Sequence, residues 1–265
     1  MKNHRLIFIL IFALISCREG NAYERCAFDE SLNRNQFYVG PEWYYVSRTK
    51  EGGTKQHGNA LGVRLGYDRL KRFGWYVGFD ALYAYGKLQG HSASKSRLSS
   101  HLTDACIEGR FGYTIQQKEN YQAAFTPFLG VGYAVDKNHF TSPSPIHLHF
   151  KTRFPYGTIG FLSWIHICEQ LEAGLNFKIK IPYDTTCKVT HDKENDPVTQ
   201  KVADRLHYRL DLPITYRISG CPHLALCAIP FFDARNYGSH PNYPFNYIKT
   251  NLTSWGLTFE LQYRM

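Results

Sequence analysis

No apolar run in this sequence is long enough to cross a membrane as a helix. The longest, Leu6–Ile15, falls well short of the roughly 20 residues a spanning helix needs. Helical periodicity is missing throughout. Asp-x-Asp, Gly-x-Ser-x-Gly and His-Glu-x-x-His are absent, and no cysteine pair has zinc-finger spacing. There is no low-complexity tract, no interdomain linker and no repeat with a period of about 30 residues. Charged residues are sparse at 20%, yet aromatics reach 15%, which excludes a disordered chain. With 265 residues and a mean hydropathy of −0.38, two classes remain: a soluble domain, or a membrane protein built from strands.

The N-terminus reads as an export signal. Lys2 and Arg5 precede the apolar stretch Leu6–Ser16, and Gly20-Asn21-Ala22 supplies small residues for cleavage. A competing reading takes Leu14-Ile15-Ser16-Cys17 as a lipoprotein lipobox; the small residues favour cleavage near Ala22. The whole chain carries 31 Lys+Arg against 22 Asp+Glu and stays basic without the first 22 residues. In an exported protein this basicity does not point to nucleic acid.

What is abundant is alternation with period two, the mark of a strand with one apolar face. Trp255, Leu257, Phe259, Leu261, Tyr263 and Met265 alternate with Gly256, Thr258, Glu260, Gln262 and Arg264. Leu206 to Ile218 and Leu171 to Ile181 repeat the pattern. The strands that carry these runs exceed a dozen residues, whereas strands of soluble proteins average about 5–6. The same reading gives ten strands near 36–48, 58–69, 72–88, 102–116, 122–136, 150–164, 168–183, 204–219, 222–236 and 251–264. Short connections alternate with longer ones at about 49–57, 89–101, 137–149, 184–203 and 237–250. The expected fold is all-β: a ten-stranded antiparallel up-and-down transmembrane β-barrel, with eight or twelve strands as alternatives. Its domains are a signal peptide (1–22), a periplasmic segment (23–35) and the barrel (36–265). A lipocalin-like soluble barrel would alternate too, with the apolar face inward. Strand length, the alternating loop sizes and aromatics at strand ends (Trp75, Trp164, Tyr263) favour the membrane.

The ending Ser254-Trp255-Gly256-Leu257-Thr258-Phe259-Glu260-Leu261 resembles the C-terminal assembly signal of small bacterial outer-membrane β-barrel proteins, with Gly256, Phe259 and Leu261 at its key positions. Many of that class end on Phe, where this chain ends on Met265. The resemblance implies a Gram-negative outer membrane, contact with outer-membrane lipid and lipopolysaccharide, and recognition by the barrel assembly machinery. It names no activity.

If the apolar rows face lipid, the alternate rows face a lumen. The inward cations are then Arg64, Arg110, Lys178, Lys180, Arg205, Arg209, Arg217 and Arg264, and the inward anions Glu42, Asp68, Asp80, Glu108, Glu172, Asp211 and Glu260. So balanced a set is expected to pair across a narrow barrel and close it, with a hydrated pore as the alternative. Six cysteines follow Cys17. Cys168 and Cys221, at neighbouring strand ends, are the expected disulfide, and Cys187 lies on a long loop open to cross-linking. His57, His91, His101, His139, His147, His149, His191 and His240 fall in or beside the long loops. His147 and His149 share one face, but two ligands make no metal site, and neither metal nor cofactor is expected. No enzyme is expected. Tyr237, Tyr243, Phe245 and Tyr247, set among Asn and Pro, resemble a binding surface for a host-surface or glycan ligand. The leading expectation is a structural or adhesin-like role through extracellular loops; the alternative is a narrow porin-like channel for ions or small solutes.

Overall fold

The computed structural model describes residues 34–265, apart from 72, 118–122, 146, 169, 193–195, 222 and 244–245. The signal segment, Cys17, Cys26 and residues 23–33 lie outside the described residues. The strand segments are β1 (Arg34–Lys50), β2 (Lys55–Leu70), β3 (Gly74–His91), β4 (Arg97–Gln117), β5 (Ala123–Thr141), β6 (His149–Cys168), β7 (Leu171–Gly174), β8 (Asn176–Pro182), β9 (Thr186–Thr190), β10 (Val198–Lys201), β11 (His207–Asp211), β12 (Ile214–Arg217), β13 (Leu224–Tyr237) and β14 (Thr250–Arg264). All pairings are antiparallel. β1 to β6 pair in sequence order, and β7, β8 and β9 all pair with β6 as one interrupted seventh stave. β10, β11 and β12 form the eighth, then β13 and β14 follow. β14 returns to β1 and closes a barrel of ten staves, the number the alternation predicts.

The two interrupted staves break side by side. Pro213 has no N–H to give the ladder, and it separates β11 from β12. Its carbonyl accepts from Gly174 N–H at 2.8 Å, where β7 gives way to β8. A Cβ on Gly174 would stand 2.9 Å from Pro213 Cγ and 2.4 Å from the Ser163 carbonyl oxygen, so only glycine fits.

The distribution of polarity decides between membrane and water. Val131 is 68% exposed and Leu129 62%, while Glu42, Asp80 and Glu108 are buried on the other face of the wall. A continuous apolar exterior of this kind belongs in lipid. Trp43, Tyr85, Tyr133, Tyr183 and Trp255 rim this band toward the longer loops, and Trp75, Tyr113, Tyr216 and Tyr263 rim it toward the short turns. The fold is that of a small outer-membrane β-barrel, with both ends of the described chain at the short-turn rim.

The strands run further than expected. β4 has 21 residues, whereas a tilted strand crosses a membrane in about 9–11. The surplus stands beyond the band on the long-loop side. Expected loops 49–57, 89–101 and 137–149 shrink to 51–54, 92–96 and 142–148, and 184–203 contains β9 and β10. The expected loop 237–250 narrows least, to 238–249. Beyond the band the amphipathic phase reverses. Lys87, His101 and Lys188 point out, while Leu88, Leu102 and Val189 are buried inside. Ladder hydrogen bonds form there as well as in lipid, and water simply exchanges the polarity of the two faces.

Closure depends on close approach at the β1–β14 seam. A Cβ on Gly256 would fall 2.1 Å from the Trp43 carbonyl oxygen, and one on Gly40 would overlap that of Phe259. Replacing Gly256 with Val is expected to cost at least about 1–3 kcal/mol. The loss should show as a lower temperature of conversion from compact to extended gel mobility; an unchanged temperature would contradict the tight seam.

Candidate functional site: the barrel lumen

Parity places the lumen residues. Along each stave every second side chain points inward, and ten staves leave a bore that long side chains can fill. Three layers fill it.

Nearest the short turns lies a cavity of about 120 Å³, lined by Gln36, Tyr38, Asp68, Arg110, Glu172, Glu260 and Arg264 among others. Arg264 reaches both Glu172 carboxylate oxygens, at 3.3 and 3.2 Å, and Arg217 also pairs with Glu172. Arg110 lies 3.5 Å from Asp68, which accepts from Tyr76 Oη at 2.6 Å. The cavity is therefore bordered by fixed charge pairs.

The middle layer is a charge lattice centred on Glu42. Its Oε2 accepts from Arg64 Nε at 2.6 Å, Thr258 Oγ1 at 2.9 Å and Arg209 Nη2 at 3.4 Å. Arg64 also donates from Nη1 to both Asp80 oxygens, at 3.1 and 3.0 Å. Arg209 binds Asp211 at 2.8 Å and lies 4.0 Å over the Phe231 ring. Lys178 donates to Glu108 at 2.8 Å, Tyr156 donates to the other Glu108 oxygen, and Lys180 sits 4.8 Å from the Tyr156 ring centre.

The third layer seals the long-loop side. Arg235 grips Asp104 with two bonds of 2.8 Å, Tyr44 Oη donates to the same carboxylate, and Asp233 lies beside it. Arg48 pairs with Asp136 at 3.1 Å. Around and beyond them pack Val46, Leu88, Leu102, Phe154, Val189, Tyr237 and Tyr247. Lys50 lies 4.4 Å from the Phe150 ring centre, and burial together with the Arg48 charge lowers its ammonium to about 8.

Most of the expected lumen charges fall in these layers; Arg205 does not. It is exposed, because β10 and β11 are separated by Val202–Leu206 and parity does not carry across that gap. Arg48, Asp104, Asp136, Asp233 and Arg235 escaped the sequence reading. Asp104 shares parity with Glu108, and Asp233 and Arg235 share parity with Phe231, so extending the alternation would have found them.

Two of the four aromatic binding candidates are corrected. Tyr237 and Tyr247 are buried in the upper seal, where the phase reversal turns apolar groups inward. Tyr243 is 91% exposed, and Phe245 lies outside the described residues. The expected Cys168–Cys221 bridge does not form. A register shift between His166 and Cys168 distorts the end of β6, and Cys221 sits exposed in the next turn, bonded through its N–H to Ile218. Cys187 is buried rather than presented on a loop. His57, His101, His139 and His149 are strand residues. The described residues contain no group of three or more His, Cys, Asp or Glu with metal-binding geometry.

Neither a family model nor a curated protein matches the sequence. Among solved structures the chain is similar to the transport unit of the autotransporter AIDA-I from Escherichia coli, at 12% identity over 96% of each chain and a TM-score of 0.45. It is also similar to the translocator domain of the autotransporter NalP from Neisseria meningitidis, at 7% identity over 98% of this chain and 95% of that one, TM-score 0.46. The outer membrane protein OprG from Pseudomonas aeruginosa is 12% identical over 88% of this chain and 97% of its own, TM-score 0.35. At these levels the barrel assignment rests on this chain's own closed ladder.

Breaking a buried pair strands its partner. Arg235→Ala is expected to destabilise the barrel by about 3–5 kcal/mol, measured by urea unfolding in lipid vesicles. The double variant Asp104→Asn/Arg235→Gln should lose less than the two single losses added together. Strict additivity would show that the two groups do not act as a pair.

Proposed function

We propose that this chain is an exported, non-enzymatic barrel of the bacterial outer membrane, whose lumen is closed and whose role is structural and surface-interacting at the long-loop end. The observation that carries this reading is the filled bore: among the described residues, paired charges in the middle and an apolar layer above leave no continuous aqueous path for a solute to follow. Cleavage of the signal segment and recognition of β14 by the assembly machinery belong to the same reading.

The 238–249 loop supports the surface role. Asn242 donates to the Lys201 carbonyl and accepts from the Lys201 N–H, both at 3.0 Å, which ties the loop to β10. His240 and Tyr247 exchange backbone bonds across its base. Tyr243 is thus held outward on a built loop, with Ile248 half exposed nearby. Such an aromatic suits a host-surface or glycan ligand. The channel reading draws on the lower cavity, which would have to connect through the upper seal.

Refolded protein with confirmed heat-dependent gel mobility should give no stable conductance steps in planar bilayers. Reproducible steps would replace the closed barrel with the channel. In parallel, deletion of 238–249 should reduce binding of cells displaying the protein to host surfaces or immobilised glycans by severalfold without changing heat mobility. Undiminished binding would refute presentation by this loop.

A further inference from the structure

The outer wall just beyond the lipid band carries a second, unassigned feature. The ladder places Lys137 directly opposite Lys151, and Lys151 opposite Lys188, on three adjacent staves. The row begins at Tyr85, which faces Thr103, the neighbour of Lys137. One row further out the ladder aligns Lys87, His101, His139, His149 and Thr190. Arg153 lies in the row beneath, opposite Val135 and Thr186. No Asp or Glu occupies these rows.

Side chains directly opposite on adjacent strands have Cβ atoms about 4.5–5.5 Å apart, and like charges there repel. Three lysines in line are thus a cost that the fold itself does not offset. None of the lysines or Arg153 has an ion-pair partner among the described residues. The repulsion registers at Lys151, whose pKa is lowered first by desolvation and then by Arg153, Lys137 and Lys188. Above them His139 stacks on His149 with centroids 4.2 Å apart, and His149 meets His191 at 3.9 Å. Tyr85 stacks on His101 at 5.3 Å, so the patch begins at the aromatic girdle, the depth of lipid headgroups.

We propose that this row of lysines, with Arg153 and the flanking histidines, binds the phosphate groups of an anionic lipid in the leaflet at the long-loop end. The assignment rests on the membrane-embedded reading above. A phosphate at that depth supplies the negative charge the rows lack, and several lysines within reach allow more than one phosphate to be held at once. The apolar wall beneath, with Leu129, Val131 and Ile159 exposed, receives the lipid's acyl chains.

The test uses the full chain refolded into phosphatidylcholine vesicles with or without lipid A, a phosphorylated glycolipid. The variant is Lys137→Gln/Lys151→Gln/Lys188→Gln, and a charge-matched control away from the rows is Lys55→Gln/Lys71→Gln/Lys249→Gln. In phosphatidylcholine alone the patch variant should convert to extended gel mobility at the same or a higher temperature than the unaltered chain, because repulsion is relieved. With lipid A the order should reverse, and lipid A affinity in detergent should fall about tenfold, against less than twofold for the control. Equal losses in patch variant and control, or no loss, would overturn the site. Competition by inorganic phosphate as effective as lipid A would overturn the lipid as its occupant. Loss of vesicle insertion by the unaltered chain would instead refute the membrane reading beneath it.

Discussion

The fold depends on one constraint: a charge removed from water must find an opposite charge. Inside the band the wall excludes solvent from outside and the bore is too narrow to hydrate every carboxylate. Glu42 shows how the chain meets this requirement. It sits on β1 beside the closing seam and takes donors from β2, β11 and β14. The same carboxylate therefore ties the first stave to the last and to a stave across the lumen. Backbone bonds close the ring, but this lattice makes the closed ring favourable over an open sheet whose inward charges would be unpaired.

The lattice also accounts for the absence of a wide bore. Long arginine side chains engage carboxylates on neighbouring staves and across the interior, as Arg235 on β13 does with Asp104 on β4. Arg64 bridges Glu42 and Asp80; Arg235 bridges Asp104 and Asp233. A guanidinium held by two carboxylates does not swing aside to admit a solute without stranding both. Residues arranged for passage would leave a hydrated track of weakly held groups, whereas here the polar groups face one another.

The ten staves were legible because alternation over a dozen residues is a strong and local signal. The lumen charges were legible wherever the alternation ran unbroken, as from Lys178 through Lys180 and from Glu260 to Arg264. Most of what failed traces to how parity was followed. Parity was followed only where the outward residue was apolar, so the strands were cut at the end of the lipid band. Arg48 and Asp136, the last residues of the expected strands 36–48 and 122–136, were passed over, and Tyr237 and Tyr247 stayed assigned to an open loop. Arg205 failed for the converse reason, since parity was carried across a gap where no ladder enforces it. The Gly174–Pro213 contact was out of reach, because which breaks in two staves lie abreast is a matter of register.

The phase reversal has a physical meaning beyond the correction it forces. Along β3 the outward residues run Trp75, Val77, Phe79, Ala81, Tyr83, Tyr85, then Lys87 and Gln89, while the inward ones pass from Asp80 to Leu82, Ala84 and Leu88. The outer medium changes from lipid to water between Tyr85 and Lys87, and the interior changes with it. Below that line the barrel is held by polar pairing inside an apolar exterior; above it, apolar groups enter the bore around the Arg48–Asp136 pair and the Gln56–Ser100 bond, inside a polar exterior. Each half thus buries what its surroundings reject. The boundary is where both requirements change over at once. It is marked by the girdle tyrosines on the wall and the apolar cluster in the bore, so the depth of the membrane and the filling of the bore are set by the same alternation of residues.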